Sequence, residues 1–225
     1  MQDMDSKDIV RRMQRIDSCA FSDALDKLGL KGTVTGLPRR AASRRIAGRV
    51  VTLKLVEASQ APRHDGPPRH LGTTAIEAAE PGDIVVVEQR TGVDAGSWGG
   101  ILSLGAKLRG LAGVIADGPV RDADEANEYD FPIYARATTA FTARGRVAEA
   151  GTNVPVRIGD VTVQAGDYAV ADSSGAVFIP AEQAEAVLRV AEEIAAREAA
   201  MARALMAGQR ITDVMGANYE NMLAR

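Results

Sequence analysis

The chain is short of cysteine and of aromatic residues, and each shortage excludes a class of protein. A single cysteine, Cys19, stands in 225 residues, so no internal disulfide can form and a reducing cytoplasmic location is expected. Its neighbours Ala20 and Phe21 predict that Cys19 is a buried small hydrophobic residue. Aromatic residues make up 4% of the chain, which argues against a surface that stacks nucleic-acid bases.

Strong net charge and long apolar runs are lacking as well. The net charge is −3, so no overall positive field attracts nucleic acid or anionic lipid. No apolar stretch reaches the roughly 18 to 20 residues that a membrane helix needs. Residues 1–12 are charged and have no apolar centre, which excludes an ordinary signal peptide. We therefore expect neither a nucleic-acid partner nor a membrane partner.

One local cluster of positive charge interrupts this pattern. Arg39, Arg40, Arg44 and Arg45 lie close together in the sequence. They favour a solvated loop or a contact between subunits, and a phosphate or polyanion site is the alternative.

What the chain does contain is alternating helical and strand periodicity in one continuous α/β domain. Helices are predicted over 7–16 and from an N-cap at Ser22 to a stop at Gly29. The predicted organisation is N-terminal helices over 1–47, a core over 48–145, a small β-rich lobe over 146–180 and C-terminal helices over 181–225. Within the last part, a long helix over 181–207 precedes a short one over 211–223.

The core reads as a crossover unit of strands and helices. Strands are predicted over 84–87 and 112–116, and helices over 101–109 and 122–129. A glycine-rich loop over 92–100 and a turn at Asp117-Gly118-Pro119 connect them. A further strand is expected over 132–135.

Two of these loops follow strands, where open α/β sheets bind ligands. The loop 92–100 enters a helix at Gly99, whose free N–H groups and positive dipole end suit an anion. The alternative is that its glycines merely close the connection. Arg121 in the second loop suits a carboxylate or a keto oxygen, and Asp122 suits magnesium or manganese. Alternatively, Arg121 pairs with a neighbouring carboxylate and Asp122 caps the following helix.

Short motifs throughout residues 22–208 carry a resemblance to a known family. They include Ser22-Asp23-Ala24-Leu25, Pro81-Gly82-Asp83, Trp98-Gly99-Gly100, Gly113-Val114-Ile115, Asp117-Gly118, Arg121-Asp122 and Phe131-Pro132-Ile133. Together they resemble the 4-hydroxy-4-methyl-2-oxoglutarate aldolase family, which also contains regulators of ribonuclease E activity. The combination is specific, whereas no single motif is.

The resemblance implies a fold and an assembly. The fold would be a swivelling-type α/β/α domain with a long C-terminal helix. The subunits would form homotrimers or hexamers with sites between them. An acidic residue on the C-terminal helix of a neighbouring subunit would reach the site through water. Glu198 is the best match for it, and Glu192 and Glu193 are the alternatives.

The resemblance also implies the chemistry of the site. Asp122 would hold a divalent cation, Mg²⁺ or Mn²⁺, and Arg121 would bind a small 2-oxo acid. Backbone amides of the loop would hold its carboxylate, from Gly99, Gly100, Ile101, Leu102 and Ser103. The reaction would be aldol cleavage of a 4-hydroxy-2-oxo acid, decarboxylation of oxaloacetate, or both, through a pyruvate enolate. The alternative is a non-catalytic protein that binds and regulates ribonuclease E. A methyltransferase is not supported, since no strand-linked nucleotide-binding glycine motif is present.

The sequence departs from the family pattern at one position. Family aldolases often carry an acidic residue 21 positions before the arginine, and that position here is Gly100. Four residues are candidates to replace it: Asp94, Asp117, His64 and His70. Two others near the site are expected to be structural or exposed, since Trp98 reads as a packing residue and Lys107 as solvated.

Overall fold

A computed structural model describes residues 6–62 and 70–216. Its helices are α1 (Ser6–Met13), α2 (Ser18–Leu28), α3 (Thr73–Ala78), α4 (Gly100–Leu108), α5 (Ala123–Glu128), α6 (Ala184–Met206) and α7 (Ile211–Val214), with 3₁₀ turns at Ala58–Gln60 and Ala181–Gln183. Its strands are β1 (Thr33–Val34), β2 (Arg39–Ala41), β3 (Ile46–Glu57), β4 (Ile84–Glu88), β5 (Gly113–Val120), β6 (Ile133–Thr138), β7 (Val147–Thr152), β8 (Val156–Ile158), β9 (Val161–Val163), β10 (Tyr168–Ala171) and β11 (Ala176–Ile179).

A mixed sheet of nine strands organises the described residues. Its order is β1-β11-β10-β3-β4-β5-β6-β2, and β7 also pairs with β3. The central strands β3, β4, β5 and β6 run parallel, and the remaining pairings in this sheet are antiparallel. The run Ile84–Val87 is fully buried because the sheet is covered on both faces at its centre. The α/β class predicted from the sequence is confirmed, and the sheet is mixed.

Different elements cover the sheet in three places. Helices α3, α4 and α5 pack on one face of β4 and β5, where Val85 and Val87 point. The hairpin of β8 and β9 packs on the opposite face, against Ile84 and Val86. Helices α1, α2 and α6 cover β10 and β11. The carboxyl ends of β4 and β5 therefore open beside α4 and α5.

The strands between residues 146 and 180 do not form a lobe with its own sheet. Strands β7, β10 and β11 join the main sheet, β7 and β10 by antiparallel pairing with β3. Only β8 and β9 form a separate two-stranded sheet, and the chain turns between them at Gly159-Asp160. The predicted lobe over 146–180 was therefore wrong as a separate unit, because long-range pairing decides which sheet the strands enter.

Three further predictions near the ends of elements were wrong. Helix α2 begins at Ser18, four residues before the predicted cap, because the Asp17 side chain accepts the N–H of Ala20. Cys19 lies exposed rather than buried, on the outer side of that first turn. Strand β5 continues through the predicted turn at 117–119, where a register shift next to Pro119 lets the chain stay paired with β6.

Other elements match their predictions closely. Helix α4 ends just before Gly110 and helix α6 just before Gly208, and both glycines have positive φ angles. Helix α7 covers the start of the predicted final helix, and positions 217–223 of that prediction lie outside the described residues. No helix in the described ranges combines the length and apolar composition required to span a membrane.

The arginine cluster makes contacts within the chain. The Arg40 guanidinium donates to the backbone carbonyls of Ala135 and Arg136. Arg44 pairs with Asp130, which also accepts a backbone-carbonyl hydrogen bond from Lys107 at 3.0 Å. These contacts tie β2 and the loop after it to β6 and to the turn after α5, and they give Arg40 and Arg44 a structural role.

Candidate active site

A cavity of about 150 Å³ opens beside α4, beyond the ends of β4 and β5. That volume corresponds to about five waters in the liquid, which is the scale of a small organic acid. Its lining residues are His70, Leu71, Gly96, Trp98, Gly99, Gly100, Ile101, Leu102, Arg121, Asp122, Thr142 and Ala143. The two loops singled out in the sequence therefore meet at one place.

Arg121 and Asp122 lie side by side in this cavity. The Arg121 backbone N–H donates to the Trp98 carbonyl at 2.9 Å, which fixes the second loop against the first. Its Nε lies 3.1 Å from both carboxylate oxygens of Asp122, and its two terminal nitrogens have no hydrogen-bond partner among the described residues. Asp122 Oδ2 also accepts the Gly100 N–H at 3.1 Å. The guanidinium fork is thus held by its stem and stays available to a ligand.

The backbone of Asp122 is strained. Its φ of 55° and ψ of 39° lie in the left-handed region, which residues other than glycine rarely adopt. The side chain makes no cap to α5, contrary to the alternative from sequence, and reaches instead to the start of α4. Such a conformation persists only where surrounding contacts hold it in place. Here it directs the Asp122 carboxylate into the cavity.

Two glycines of the first loop make room for these side chains. A Cβ on Gly96 would lie 2.8 Å from Arg121 Cγ. A Cβ on Gly99 would lie 2.9 Å from Asp122 Oδ2. Both distances are shorter than real Cβ contacts, so the glycines allow the second loop to approach the first. This explains the glycine-rich sequence by packing between the two loops.

The first turn of α4 presents backbone amides to the cavity. The N–H groups of Ile101 and Leu102 have no hydrogen-bond partner among the described residues. The Ser103 N–H already donates to the Gly99 carbonyl at 3.0 Å, and so does its hydroxyl at 2.9 Å. Of the five predicted carboxylate-binding residues, Ser103 therefore has no free donor. The Gly100 N–H is taken by Asp122, so Gly99, Ile101 and Leu102 are left to bind an anion at this helix N-terminus.

Trp98 is a buried residue that packs next to the cavity. It is 1% exposed, stacks on Phe131 and donates its indole N–H to Ser103 Oγ at 3.1 Å. Its predicted role as a packing residue is confirmed, although one edge of it lines the cavity.

The donor set suits a hydrated divalent cation. Among the described residues no group of three or more His, Cys, Asp or Glu side chains could form a metal cage. Mg²⁺, however, is commonly held by one or two carboxylates and several waters. A carboxylate offers about four lone-pair sites, and Asp122 uses three of them, two for Arg121 Nε and one for the Gly100 N–H, so one remains. Asp122 can hold such an ion without a cage.

The predicted acids of α6 lie away from this cavity within one chain. Burial, followed by the negative charges of Asp17 and Asp23, raises the pKa of Glu198, which places Glu198 beside α2. Glu192 forms a two-point ion pair with Arg12, at 2.7 and 2.5 Å. A role for Glu198 at the site would therefore require a second copy of the chain.

The four candidates to replace the missing acid at position 100 differ in where they lie. Asp94 is exposed and does not line the cavity. Asp117 is buried and structural, since it accepts from Arg136 Nε and from the Gly159 N–H, both at 2.6 Å. His70 lines the cavity, and His64 falls outside the described residues.

Sequence reasoning missed one acidic residue of this region. Glu125 lies on the first turn of α5, and its carboxylate rests against Gly100. The available signal was its spacing of three residues from Asp122, which places both side chains on one face at a helix start.

The chain resembles known proteins over most of its length. A family model described as "RraA-like: Aldolase/RraA" matches residues 18–178. A protein of Halalkalibacterium halodurans named "Putative 4-hydroxy-4-methyl-2-oxoglutarate aldolase" is 28% identical over 198 residues, covering 88% of this chain and 89% of the relative.

Solved structures share the fold. An uncharacterised protein from Pseudomonas syringae superposes with a TM-score of 0.82 at 24% identity, over 93% of this chain and 98% of that one. Streptomyces coelicolor RraAS2, described as an unusual member of the RNase ES inhibitor RraA family, superposes with a TM-score of 0.73 at 26% identity, over 88% and 97%. With its family model matched over most of its length, this chain belongs to the RraA-like family of aldolases and RraA proteins.

Proposed function

We propose that this chain is a divalent-cation-dependent carbon–carbon lyase acting on a small 2-oxo acid with a hydroxyl or carboxylate at carbon 4. The observation that carries the proposal is the meeting of three groups in one small cavity: the free fork of Arg121, the Asp122 carboxylate and the open amides of α4. Aldolase names among the relatives support the same class of reaction. Aldol cleavage and oxaloacetate decarboxylation both fit, since both release pyruvate.

Each group has a distinct task in binding. The Ile101 and Leu102 amides at the positive end of α4 hold the substrate carboxylate. Arg121 donates from its terminal nitrogens to the keto oxygen. Because its Nε is held by Asp122, the fork needs little ordering when the ligand arrives.

The chemical step needs stabilisation of negative charge on the keto oxygen. When bound at Asp122, Mg²⁺ or Mn²⁺ supplies Lewis-acid polarisation of that oxygen. Arg121 stabilises the same charge as the carbon–carbon bond breaks, in a site partly shielded from water. Its removal is expected to cost about 3 to 5 kcal/mol of transition-state stabilisation, as for a lost charged donor.

We further propose that the site is completed in a homotrimer or hexamer. The last buried residue of α6 is Ile194, so its final twelve residues, a length of about 18 Å, lie on the surface of the chain. Exposed apolar side chains mark both this end and α4, with Met206 at 80%, Ile101 at 78% and Leu108 at 79% exposure. Contact between these surfaces would bury them and bring Glu198 of one copy towards the cavity of another. Light scattering on the wild type and on Leu108→Asp tests this assembly.

The function is tested by measuring pyruvate release from a panel of 2-oxo acids. Wild-type protein should release pyruvate with Mg²⁺ present, lose that activity on chelation and regain it when Mg²⁺ is restored. Asp122→Ala should abolish the cation-dependent turnover, and Arg121→Ala should lower kcat/KM by at least 100-fold. Asp124→Asn removes an exposed neighbouring charge and should behave like the wild type. Unchanged turnover in both site variants contradicts the proposal.

The second candidate is a non-catalytic regulator of a ribonuclease, and it is suggested by RraAS2, which is described as an unusual member of the RNase ES inhibitor RraA protein family. The same experiment separates the two. A wild type that releases no pyruvate from any acid of the panel, and whose effect on RNA decay survives chelation, would favour the regulator.

A further inference from the structure

The carboxylate of Glu125 occupies the space where a side chain at position 100 would begin. An ideal Cβ built on Gly100 lies 1.8 Å from Glu125 Oε2 and 2.8 Å from its Cδ. The backbone itself does not demand glycine there, since Gly100 is not among the residues with positive φ. Because Glu125 Oε2 is the far end of a flexible side chain, a Cβ at position 100 would displace the carboxylate and not the backbone.

Asp122 also lies close to Gly100. Its Cβ lies 3.3 Å from the ideal Gly100 Cβ, and its Oδ2 accepts the Gly100 N–H. Two carboxylates thus converge on the first residue of α4. The positive end of that helix offsets part of their repulsion, and a bound cation would offset the rest.

Glu125 has no other task among the described residues. No hydrogen bond or ion pair holds its carboxylate in residues 6–62 and 70–216. By contrast, nearby Asp130 pairs with Arg44 and Lys107. Glu125 is exposed and is not among the residues that line the cavity, but its carboxylate lies beside Gly100, which is, and there it is free to bind water.

Resting on the function proposed above, we infer that Glu125 supplies the second carboxylate of the cation site and acts on the ion through water. Its carboxylate lies in the space that a side chain at position 100 would fill. In the sequence, Glu125 follows Asp122 by about one helical turn. Glu125 is a positioning residue, because it orients the hydration shell of the ion and does not touch the substrate. Outer-shell groups of this kind typically change metal affinity by about 10- to 100-fold.

Calorimetric titration of the full-length chain with Mn²⁺ tests this role directly. Glu125→Gln removes the charge, and Gly100→Ala pushes the carboxylate aside with a methyl group. Each should raise the Mn²⁺ dissociation constant about 10-fold or more. Both changes remove the same carboxylate from the site. The double variant should therefore bind Mn²⁺ no more weakly than whichever single variant has the higher dissociation constant. Glu128→Gln, an exposed acid on the same helix, should match the wild type.

Moving the carboxylate back to position 100 gives a rescue experiment. Glu125→Ala should weaken Mn²⁺ binding, and adding Gly100→Asp to it should restore the dissociation constant to within about threefold of the wild type. A purely structural role for Glu125 would not predict this restoration. Thermal unfolding of each variant without Mn²⁺ checks that the fold is kept.

The outcomes separate this inference from the function on which it rests. If Asp122→Ala loses Mn²⁺ binding while Glu125→Gln binds like the wild type, the role of Glu125 is overturned and the lyase proposal stands. If Glu128→Gln weakens binding as much as Glu125→Gln, a general charge effect replaces the specific role. If the wild type itself binds no Mn²⁺, both proposals fall.

Discussion

Substituting Gly96 by alanine tests whether the position of Arg121 governs turnover. The new Cβ would lie 2.8 Å from Arg121 Cγ and 3.0 Å from its Cδ. Ordinary contact begins at 3.4 Å, so the stem must move by about 0.6 Å, the difference between 3.4 and 2.8 Å. The Arg121 backbone cannot simply follow, because its N–H is bonded to the Trp98 carbonyl. The guanidinium is therefore displaced within the cavity.

A misplacement of about 1 Å can cost about 100-fold in rate. For the smaller shift here we expect kcat/KM for pyruvate release to fall by about 10- to 100-fold, or about 1.4 to 2.7 kcal/mol. Overpacking should also lower the free energy of unfolding by about 1 to 3 kcal/mol. A coupled pyruvate assay and urea unfolding measure the two effects.

Gly105→Ala is the matched control. It makes the same substitution on α4, where the nearest atom of another element to the new Cβ is Ile76 Cδ1 at 4.0 Å. Replacing glycine inside a helix should stabilise the protein by about 0.5 to 1 kcal/mol and leave turnover unchanged. If Gly96→Ala keeps wild-type kcat/KM while remaining folded, the reasoning that links Arg121 placement to catalysis is refuted.

Two further predictions concern stability. Asp172 accepts from the Ser18 N–H and hydroxyl and from the Ser174 N–H, so Asp172→Ala should lower the free energy of unfolding in urea by about 2 to 4 kcal/mol. Burial raises the pKa of Asp172 but the bonds from Ser18 and Ser174 lower it more, so the net pKa lies below its usual 3.8. The stabilisation by Asp172 is therefore present above pH 3.8 and is lost as the pH falls through the lower pKa of the folded state. The free energy of unfolding, measured as the pH is lowered through this range, should change differently in the wild type and in Asp172→Asn. Trp98→Ala should cost about 3 to 5 kcal/mol of stability by urea unfolding, since the buried ring leaves a cavity beside Phe131; a loss below 1 kcal/mol would contradict its packing role.

The sequence predicted the local elements around the site well, because their signals are local. The apolar run of β4, the helical spacing of α4 and the stop at Gly110 each depend on neighbouring residues only. Their order also predicted that the loops after β4 and β5 would meet, which brings Arg121 to the α4 N-terminus.

What the sequence missed depends on contacts between distant residues. The entry of β10 into the main sheet follows from pairing with β3, more than a hundred residues earlier, which no local pattern records. The extension of β5 through Pro119 requires a bulge that only its neighbouring strands reveal. Glu125 resembled any solvated acid on a helix, and its proximity to Gly100 became visible only when α4 and α5 were placed side by side.

The most direct test of the site is a crystal structure of the protein soaked with Mn²⁺ and oxalate, an analogue of the charged 2-oxo acid product. We expect anomalous density for the ion within about 2.3 Å of an Asp122 oxygen, slightly beyond the 2.0 to 2.1 Å that is usual for the smaller Mg²⁺. Oxalate should lie on the Arg121 fork and the α4 amides. An ion bound elsewhere, with Asp122 still engaged only by Arg121 and Gly100, would contradict the proposed site.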